Sequence, residues 1–206
     1  MLSLDHIIVA ISDLDLGIRQ VHERVGVCPV IGGFHPQGVT KNALMSLGAD
    51  RYLEIIALRD DIETPDERRW MLETKELRTI GWAVSSTDLA ETKHHLDQAG
   101  FPTSKIVPGA RQTPDGNHLS WSTMSLKKRI AGAPFFIQWG VGTPHPSATS
   151  PTGCNLQSFA ITTPDHALLQ SLLRALNLDV RVTTSTGPDP VFETMVESPN
   201  GLTTLQ

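Results

Sequence analysis

Three helix starts recur along this chain at a nearly constant spacing. Asp13, Asp88 and Asp165 each open a segment with helical periodicity, and they lie 75 and 77 residues apart (13 to 88, and 88 to 165). Aspartate at such a position caps free backbone N–H groups and complements the helix dipole. A constant period of this length is typical of a repeated supersecondary unit. The repeat therefore favours a fold built from three related units.

Each unit has the same predicted order of elements, β-α-β-β-β, because apolar and β-branched runs are bounded there by turn residues. The predicted strands of the first unit are 4–10, 27–31, 39–47 and 52–58. Those of the second unit are 79–84, 103–107, 118–126 and 134–141. Those of the third are 159–161, 180–184, 191–197 and 202–205. A charged helix is predicted over 65–76 and a turn over 111–117.

A stretch rich in Pro, Ser and Thr separates the second unit from the third, as is typical of a linker. We therefore predict a two-unit domain over 1–141, a linker over 142–154, and a third, degenerate unit over 155–206 packed on the first two. The leucines from Leu168 to Leu176 form an apolar helix stripe that needs cover. Units one and two or a second copy of the chain can provide it, and we favour a homodimer, since closed two-fold dimers are the commonest oligomers.

The composition narrows the range of partners. The 206-residue chain has a formal net charge of −5, which argues against a nucleic-acid or anionic-membrane partner. No stretch approaches the roughly 20 apolar residues needed to cross a bilayer, and no signal-peptide pattern is present. Two cysteines are too few for a disulfide framework. We expect a cytoplasmic protein whose partner is a small molecule.

Two predicted strands each carry an ionisable residue among apolar ones. Side chains alternate along a strand, so His6 is expected on one face with Leu4, Ile8 and Ala10. Glu54 likewise stands on an apolar face of the strand 52–58. A buried charge is costly unless it is paired, neutralised or bound to metal. Imidazole and carboxylate are common ligands of divalent metals. The alternative is a buried, hydrogen-bonded pair with a structural role.

Four other polar residues are candidates for the same site. Thr40 and Asn42 point to one face of their strand and can line a cleft beside Glu54, or Asn42 can bond to a neighbouring backbone group. His35, in a glycine-rich loop, is a candidate acid or orienting donor, or a solvated side chain. Arg111 at the predicted turn can bind a substrate carboxylate through two hydrogen bonds, or lie at the surface.

Three tryptophans lie in predicted strands of the second unit. Trp82, Trp121 and Trp139 are candidates for an apolar substrate wall. Aromatic residues in strands are more often part of a core, so each also has a purely structural interpretation.

A set of short motifs then suggests a family. The motifs are Leu4-Asp5-His6, Asp13-Leu14, His35-Pro36 with Gly38, Thr40 and Asn42-Ala43-Leu44, Tyr52-Leu53-Glu54, and Pro134 through Trp139. In this order and spacing they resemble the vicinal oxygen chelate superfamily, and within it the glyoxalase-like domain group. The likeness covers most of residues 3–141 and only weakly the third unit. It implies an α+β fold of repeated βαβββ units, with mixed sheets curled around a cleft.

The resemblance also implies a divalent metal ion in the cleft, such as Zn, Ni, Mn or Fe. First and last strands of each unit supply up to four ligands in that superfamily. His6 and Glu54 match the pattern from the first unit. Gly81 and Trp82 stand where the second unit's first ligand would be, and neither binds metal. Gln138, opposite Glu54 in the motif, is the remaining candidate ligand.

Two functions of different classes follow from these residues. The first is a metal-assisted lyase, isomerase or dioxygenase acting on a small oxygenated molecule, with Glu54 as the base. The second is a small-molecule binding or sequestering protein that has kept the cleft without the metal. Fold analogy alone does not choose between them.

Overall fold

The predicted fold class, an α+β fold of repeated βαβββ units, is confirmed, and the third segment of the chain has the same order of elements with a different strand order in its sheet. The computed structural model describes residues 2–34, 38–113, 116, 118–178 and 182–205. The first unit comprises β1 (Ser3–Ala10), α1 (Leu14–Val25), β2 (Val30–Phe34), β3 (Thr40–Ser46) and β4 (Tyr52–Leu58). The second comprises β5 (Arg78–Ser85), α2 (Leu89–Gln98), β6 (Val107–Gln112), β7 (His118–Met124) and β8 (Phe135–Trp139). The third comprises β9 (Asn155–Thr163), α4 (His166–Leu176), β10 (Val182–Thr186), β11 (Val191–Ser198) and β12 (Gly201–Leu205).

Two short helices connect the units. The charged segment after β4 forms a 3₁₀ helix over Asp66–Glu73, and α3 (Pro146–Thr149) lies inside the predicted linker. Among the described residues, no helix is both long and apolar enough to cross a membrane.

The aspartates that mark the repeat do not all cap their helices. Asp13 accepts a hydrogen bond from the Leu16 N–H at 2.7 Å, and Asp88 accepts from the first turn of α2. Asp165 makes no side-chain cap. Its carboxylate instead accepts the Ala131 N–H at 2.7 Å, which links the third unit to the second.

Units one and two form one continuous mixed sheet of eight strands in the order β2-β3-β4-β1-β5-β8-β7-β6. In these two units the first and last strands pair in parallel, and β1 pairs with β5 in antiparallel register where the units meet. The two ends of the sheet approach each other, since Arg111 on β6 donates a hydrogen bond to the Gly32 carbonyl on β2. The sheet is therefore curled into a nearly closed barrel around an interior.

A β-bulge occurs at the same place in both units. The register of β1 against β5 shifts between Leu4 and His6, which leaves Asp5 of β1 unpaired. It shifts again between Ile8 and Val9, which leaves Ile80 of β5 unpaired. Asp5 and Ile80 are 75 residues apart, which is the repeat distance. A bulge inserts an extra residue and re-aims neighbouring side chains. Strict alternation was therefore the wrong expectation for β1: Leu4 packs in the main core, and Asp5 bonds to the side chain of His6.

The main core lies between the outer face of this sheet and the third unit. The third unit has its own sheet in the order β10-β9-β11-β12. Trp82 on β5 packs edge-on against Phe159 on β9 at 5.4 Å, and Phe159 stacks on Phe192 at 6.0 Å between ring centres. The leucine stripe of α4 (Leu169, Leu172 and Leu176) is buried in this same core.

The other face of the third sheet is exposed and mixed in character: Ser158, Glu193 and Glu197 lie on it with Val191 and Leu202, which are 46% and 65% exposed. Three leucines of the stripe are covered within the chain, whereas Leu168 is 45% exposed. The homodimer stays a prediction.

Because Phe159 joins the two sheets, Phe159→Ala should lower the free energy of unfolding of the whole chain by about 3–5 kcal/mol. Denaturant unfolding should show a single transition for the wild type and for this variant. Ser158→Ala, one residue away on the exposed face, is the matched control and should change the free energy by less than about 0.5 kcal/mol. A separate early transition for the third unit would contradict the shared core.

Candidate functional site

A cavity of about 220 Å³ lies inside the curled sheet, on the face opposite the main core. Strands from both units contribute to its wall. The polar residues lining it include His6, Asn42, Tyr52, Glu54 and Arg111, and the aromatic ones Trp121, Phe135 and Trp139. The fold thus gathers side chains that are up to 133 positions apart in the chain, from His6 to Trp139.

The bulge in β1 places a carboxylate beside an imidazole. His6 Nδ1 lies 2.6 Å from Asp5 Oδ1, and both residues are buried. An ionised carboxylate can only accept hydrogen bonds, so Nδ1 carries the proton. The His6 ring also stacks on Tyr52 at 4.6 Å. These contacts fix the ring and direct its Nε2 atom towards Glu54.

Glu54 faces this imidazole across a short gap. Its Oε2 atom lies 3.7 Å from His6 Nε2, within the proximity expected from the two strands. This separation is longer than a hydrogen bond. The Asn42 side chain donates to Glu54 Oε1 at 2.6 Å and orients the carboxylate. Asn42 therefore lies beside Glu54, as its place on β3 predicted.

The second oxygen of Asp5 is held by two residues from distant parts of the chain. Asp5 Oδ2 lies 3.0 Å from the indole Nε1 of Trp139 and 3.2 Å from Nε2 of His145. The Ser147 backbone N–H donates to His145 Nδ1 at 3.2 Å, so the proton of the ring is on Nε2. All three contacts to Asp5 are therefore donated hydrogen bonds.

These donors determine the charge of the site. Burial of the Asp5 carboxyl raises its pKa, but hydrogen bonds from His145 and His6 outweigh that effect and lower the pKa from 3.8 to about 2. Burial raises the pKa of Tyr52 well above its usual value, and the nearby Asp5 and Glu54 carboxylates raise it further. Asp5 is thus an anion and Tyr52 a neutral phenol near neutral pH.

His145 was not identified as a site residue from the sequence, because Pro144 and Pro146 flank it in the predicted linker. The structure makes it the residue before α3, where its ring caps the helix and reaches Asp5. No local pattern marks that contact, since the two residues are 140 positions apart.

Arg111 lies in β6, so the turn predicted over 111–117 begins too early. Its side chain lines the cavity and is only 6% exposed. Burial lowers the pKa of its guanidinium, while Glu54 and Tyr52 act in the opposite direction. The surface alternative for Arg111 was wrong.

The structure separates the predicted tryptophans. Trp121 and Trp139 line the cavity, with ring centres 5.9 Å apart. Trp82 is 1% exposed and donates its indole N–H to the Gly132 carbonyl at 2.8 Å, so it belongs to the core and not to a substrate wall. Thr40 shares the face of Asn42 but does not line the cavity. His35 lies outside the described residues.

Gln138 does not point into the cavity, and its predicted place in a ligand set is wrong. Its Oε1 atom accepts the Leu89 N–H at 2.9 Å, which caps the start of α2 on the outer face. Alternation along β8 instead directs Phe135, Ile137 and Trp139 inwards. The motif alignment that paired Gln138 with Glu54 was therefore displaced from the true register.

The register identifies the true counterparts of the first unit's site residues. The repeat distance and the matching bulges relate Gly81 to His6. Ile8 pairs with Glu54, and its equivalent Ala83 pairs with Phe135. Phe135 is thus the counterpart of Glu54.

Neither Gly81 nor Phe135 can bind a metal ion. Among the described residues, no three His, Cys, Asp or Glu side chains form a metal-ligand group. Catalytic divalent sites use about three protein ligands. The donor set here, His6 with Glu54, does not fit the metal site that the superfamily resemblance implied.

Known proteins are similar to this chain to different degrees. No curated protein matches the sequence. A hypothetical protein from Staphylococcus aureus is similar with a TM-score of 0.71 at 16% identity, covering 93% of this chain and 88% of that one. Methylmalonyl-CoA epimerase from Mycobacterium tuberculosis gives a TM-score of 0.48 at 20% identity, with coverages of 66% and 86%. The Streptomyces coelicolor epimerase in complex with 2-nitronate-propionyl-CoA gives 0.48 at 15%, with 70% and 99%.

The family comparison extends further along the chain than the predicted two-unit domain. The model of the glyoxalase-like domain matches residues 4–177, which includes the predicted linker, β9 and α4. The chain therefore belongs to the glyoxalase-like domain family.

Proposed function

We propose that this protein is an enzyme that moves a proton on a small oxygenated anion, with His6 as the base. The observation that carries the proposal is the buried Asp5–His6 contact of 2.6 Å at the wall of a cavity. A carboxylate that binds one ring nitrogen fixes the tautomer and leaves the other nitrogen as the acceptor. Buried polar groups that converge on a cavity are typical of functional sites.

His6 and Glu54 both line the cavity, where a substrate can reach them. His6 Nε2 and Glu54 Oε2 are both acceptors, and at 3.7 Å they are too far apart to share a hydrogen bond directly. A substrate C–H or O–H on the cavity side of these two atoms can give its proton to Nε2. The positive charge that develops on the His6 ring is then stabilised by Asp5 on one side and Glu54 on the other.

Arg111 is the reason for proposing that the substrate is an anion. Its guanidinium is buried, donates to the Gly32 carbonyl and is attracted by the Glu54 carboxylate in the same cavity. Burying a cation is costly, and a bound carboxylate would compensate for that cost further. In the proposed reaction Arg111 binds the carboxylate and the aromatic walls exclude water.

A second candidate is the non-catalytic binding protein. Gly81 and Phe135, at the positions of the missing ligands, favour it, because the second unit contributes no acid or base at these positions. Trp121, Trp139 and Phe135 would then serve only to enclose the ligand.

Hydrogen–deuterium exchange tests the proposed reaction. We expect the wild type to catalyse exchange of the protons on the carbon next to the keto group of small 2-keto acids, such as pyruvate and 2-oxobutanoate, in D₂O. The exchange is measured by NMR. His6→Asn should lower that rate by about 10²–10⁴-fold, because it removes the base. His22→Asn, on the exposed side of α1, is the matched control and should leave the rate unchanged. Binding of these acids without exchange would favour the binding protein, and no binding at all would overturn the proposal.

The charge of Asp5 predicts a pH dependence of stability. The pKa of Asp5 is lowered in the folded protein from 3.8 to about 2, so its ionised form stabilises the fold above about pH 4. That contribution is lost as the pH falls through about 2, and it amounts to about 2 kcal/mol. Asp5→Asn should therefore reduce the free energy of unfolding at pH 7 and flatten its decline in acid. Parallel wild-type and variant curves between pH 5 and 2 would contradict this role for Asp5.

Restoring the absent ligands tests the metal-assisted alternative. Gly81 has open space around its missing side chain, so Gly81→His can be accommodated there. Together with Phe135→Glu it should bind Zn²⁺ roughly tenfold or more tightly than the wild type, measured by calorimetry. Gln138→Glu, which lies on the outer face, is the control and should leave Zn²⁺ binding unchanged. Tight Zn²⁺ binding by the wild type would reinstate a metal, such as Zn, Ni, Mn or Fe, as the cofactor.

A further inference from the structure

We propose that His145 is the positioning residue of the His6 base, and that the linker carrying His145 is thereby part of the site. The inference rests on the proposed function, because it gives His145 a part in the same proton transfer. His145 is not among the described residues that line the cavity. We therefore assign it an indirect role, through the neighbours that hold the His6 ring.

The first of these neighbours is Asp5. One of its carboxylate oxygens lies 2.6 Å from His6 Nδ1, and the other lies 3.2 Å from His145 Nε2. Two imidazoles thus share one buried carboxylate. Trp139 donates to the same oxygen as His145. Because Asp5 holds the His6 ring through its first oxygen, any rotation of the carboxylate changes the direction in which His6 Nε2 points.

The second neighbour is Tyr52, whose ring stacks on the His6 ring at 4.6 Å between ring centres. The His145 ring packs edge-on against Tyr52 at 5.6 Å and edge-on against Trp139 at 5.5 Å. Such edge-to-face arrangements are favourable for aromatic rings. His145 therefore contacts both the carboxylate that binds the His6 ring and the phenol ring that stacks on it.

The orientation of His145 is itself fixed by its surroundings. The Ser147 backbone N–H donates to His145 Nδ1 at 3.2 Å, and the Ser147 hydroxyl lies 2.7 Å from the same atom. Pro144 and Pro146 flank the residue, and the ring of proline restricts the backbone on both sides. The Nε2–H group of His145 is thus directed at Asp5 before any substrate binds.

The linker is attached to both halves of the barrel on either side of His145. Before it, Thr143 Oγ1 accepts the N–H of Ser120 on β7 at 3.2 Å. After it, the Pro151 carbonyl accepts the N–H of Ser46 on β3 at 2.9 Å. The linker is therefore a fixed part of the barrel, and its folding supplies a donor that neither half provides.

Kinetics of keto-acid exchange test this role. His145→Ala should lower kcat by about 10–100-fold with little change in KM, because a base misplaced by about an ångström loses rate while Arg111 still binds the carboxylate. His145→Gln can still donate to Asp5 and should restore most of the lost kcat. His145→Phe keeps a ring but has no donor, and it should be as slow as His145→Ala. His94→Ala, on the exposed side of α2, is the matched control and should exchange at the wild-type rate.

NMR of the imidazole proton gives a measurement that does not depend on turnover. The proton on His6 Nδ1, assigned by its loss in His6→Asn, should resonate far downfield because its hydrogen bond to Asp5 is short and charge-assisted. This resonance should shift and broaden in His145→Ala, and His145→Gln should restore it. His94→Ala should leave it unchanged.

The outcomes separate this inference from the proposed function. A wild-type rate in His145→Ala would overturn the inference. A rate restored by His145→Phe and not by His145→Gln would also overturn it, because it would show a packing role only. A wild type that exchanges no keto acid would end the proposed function. The positioning of His6 is then decided by NMR, and an unchanged His6 resonance in His145→Ala would overturn it.

Discussion

The hydrogen bonds to the Asp5 carboxylate join the parts of this site. One oxygen receives His6 Nδ1, and the other receives Trp139 and His145, so β1, β8 and the segment before α3 meet at a single buried anion. Burying a carboxylate is costly unless donors compensate, and here the hydrogen bonds from His145 and His6 lower the pKa of Asp5 below the usual value. The orientation of the imidazole depends on this compensation. The oriented imidazole in turn directs its Nε2 atom towards the Glu54 carboxylate.

The two halves of the barrel share their geometry and differ in their chemistry. Both carry a bulge at the same point of the repeat, but the first presents Asp5 and His6 where the second presents Ile80 and Gly81. Phe135 stands in the second unit at the position that Glu54 has in the first. The carboxylates and the His6 imidazole are therefore on the first unit's side of the cavity, while the second unit provides Arg111 and aromatic side chains. This asymmetry suits a site that orients one polar end of a ligand.

Closure of the sheet and the third unit answer different physical needs. Arg111 binds the Gly32 carbonyl across the two ends of the sheet, which encloses the cavity and desolvates the guanidinium. Any side chain at Gly32 would collide with Asn42 Oδ1, so this close approach requires glycine. The third unit instead covers the outer face through Trp82 and Phe159. An apolar core therefore lies directly behind the cavity wall. Trp82, which was predicted from the sequence to line the substrate wall, belongs to that core.

Local patterns in the sequence determined the repeat, the βαβββ order and the proximity of His6 to Glu54, because capping residues and strand periodicity act over a few residues. Tertiary structure decided what depends on register and closure. A one-residue bulge in β1 places Leu4 in the core and Asp5 beside His6. The alternation of side chains along β8 directs Gln138 to the outer face of the sheet. Curling of the sheet buried Arg111, and folding of the linker brought His145 to a residue 140 positions away. Such contacts leave no local signal, because the energy of a buried hydrogen bond depends on partners that only the folded chain brings together.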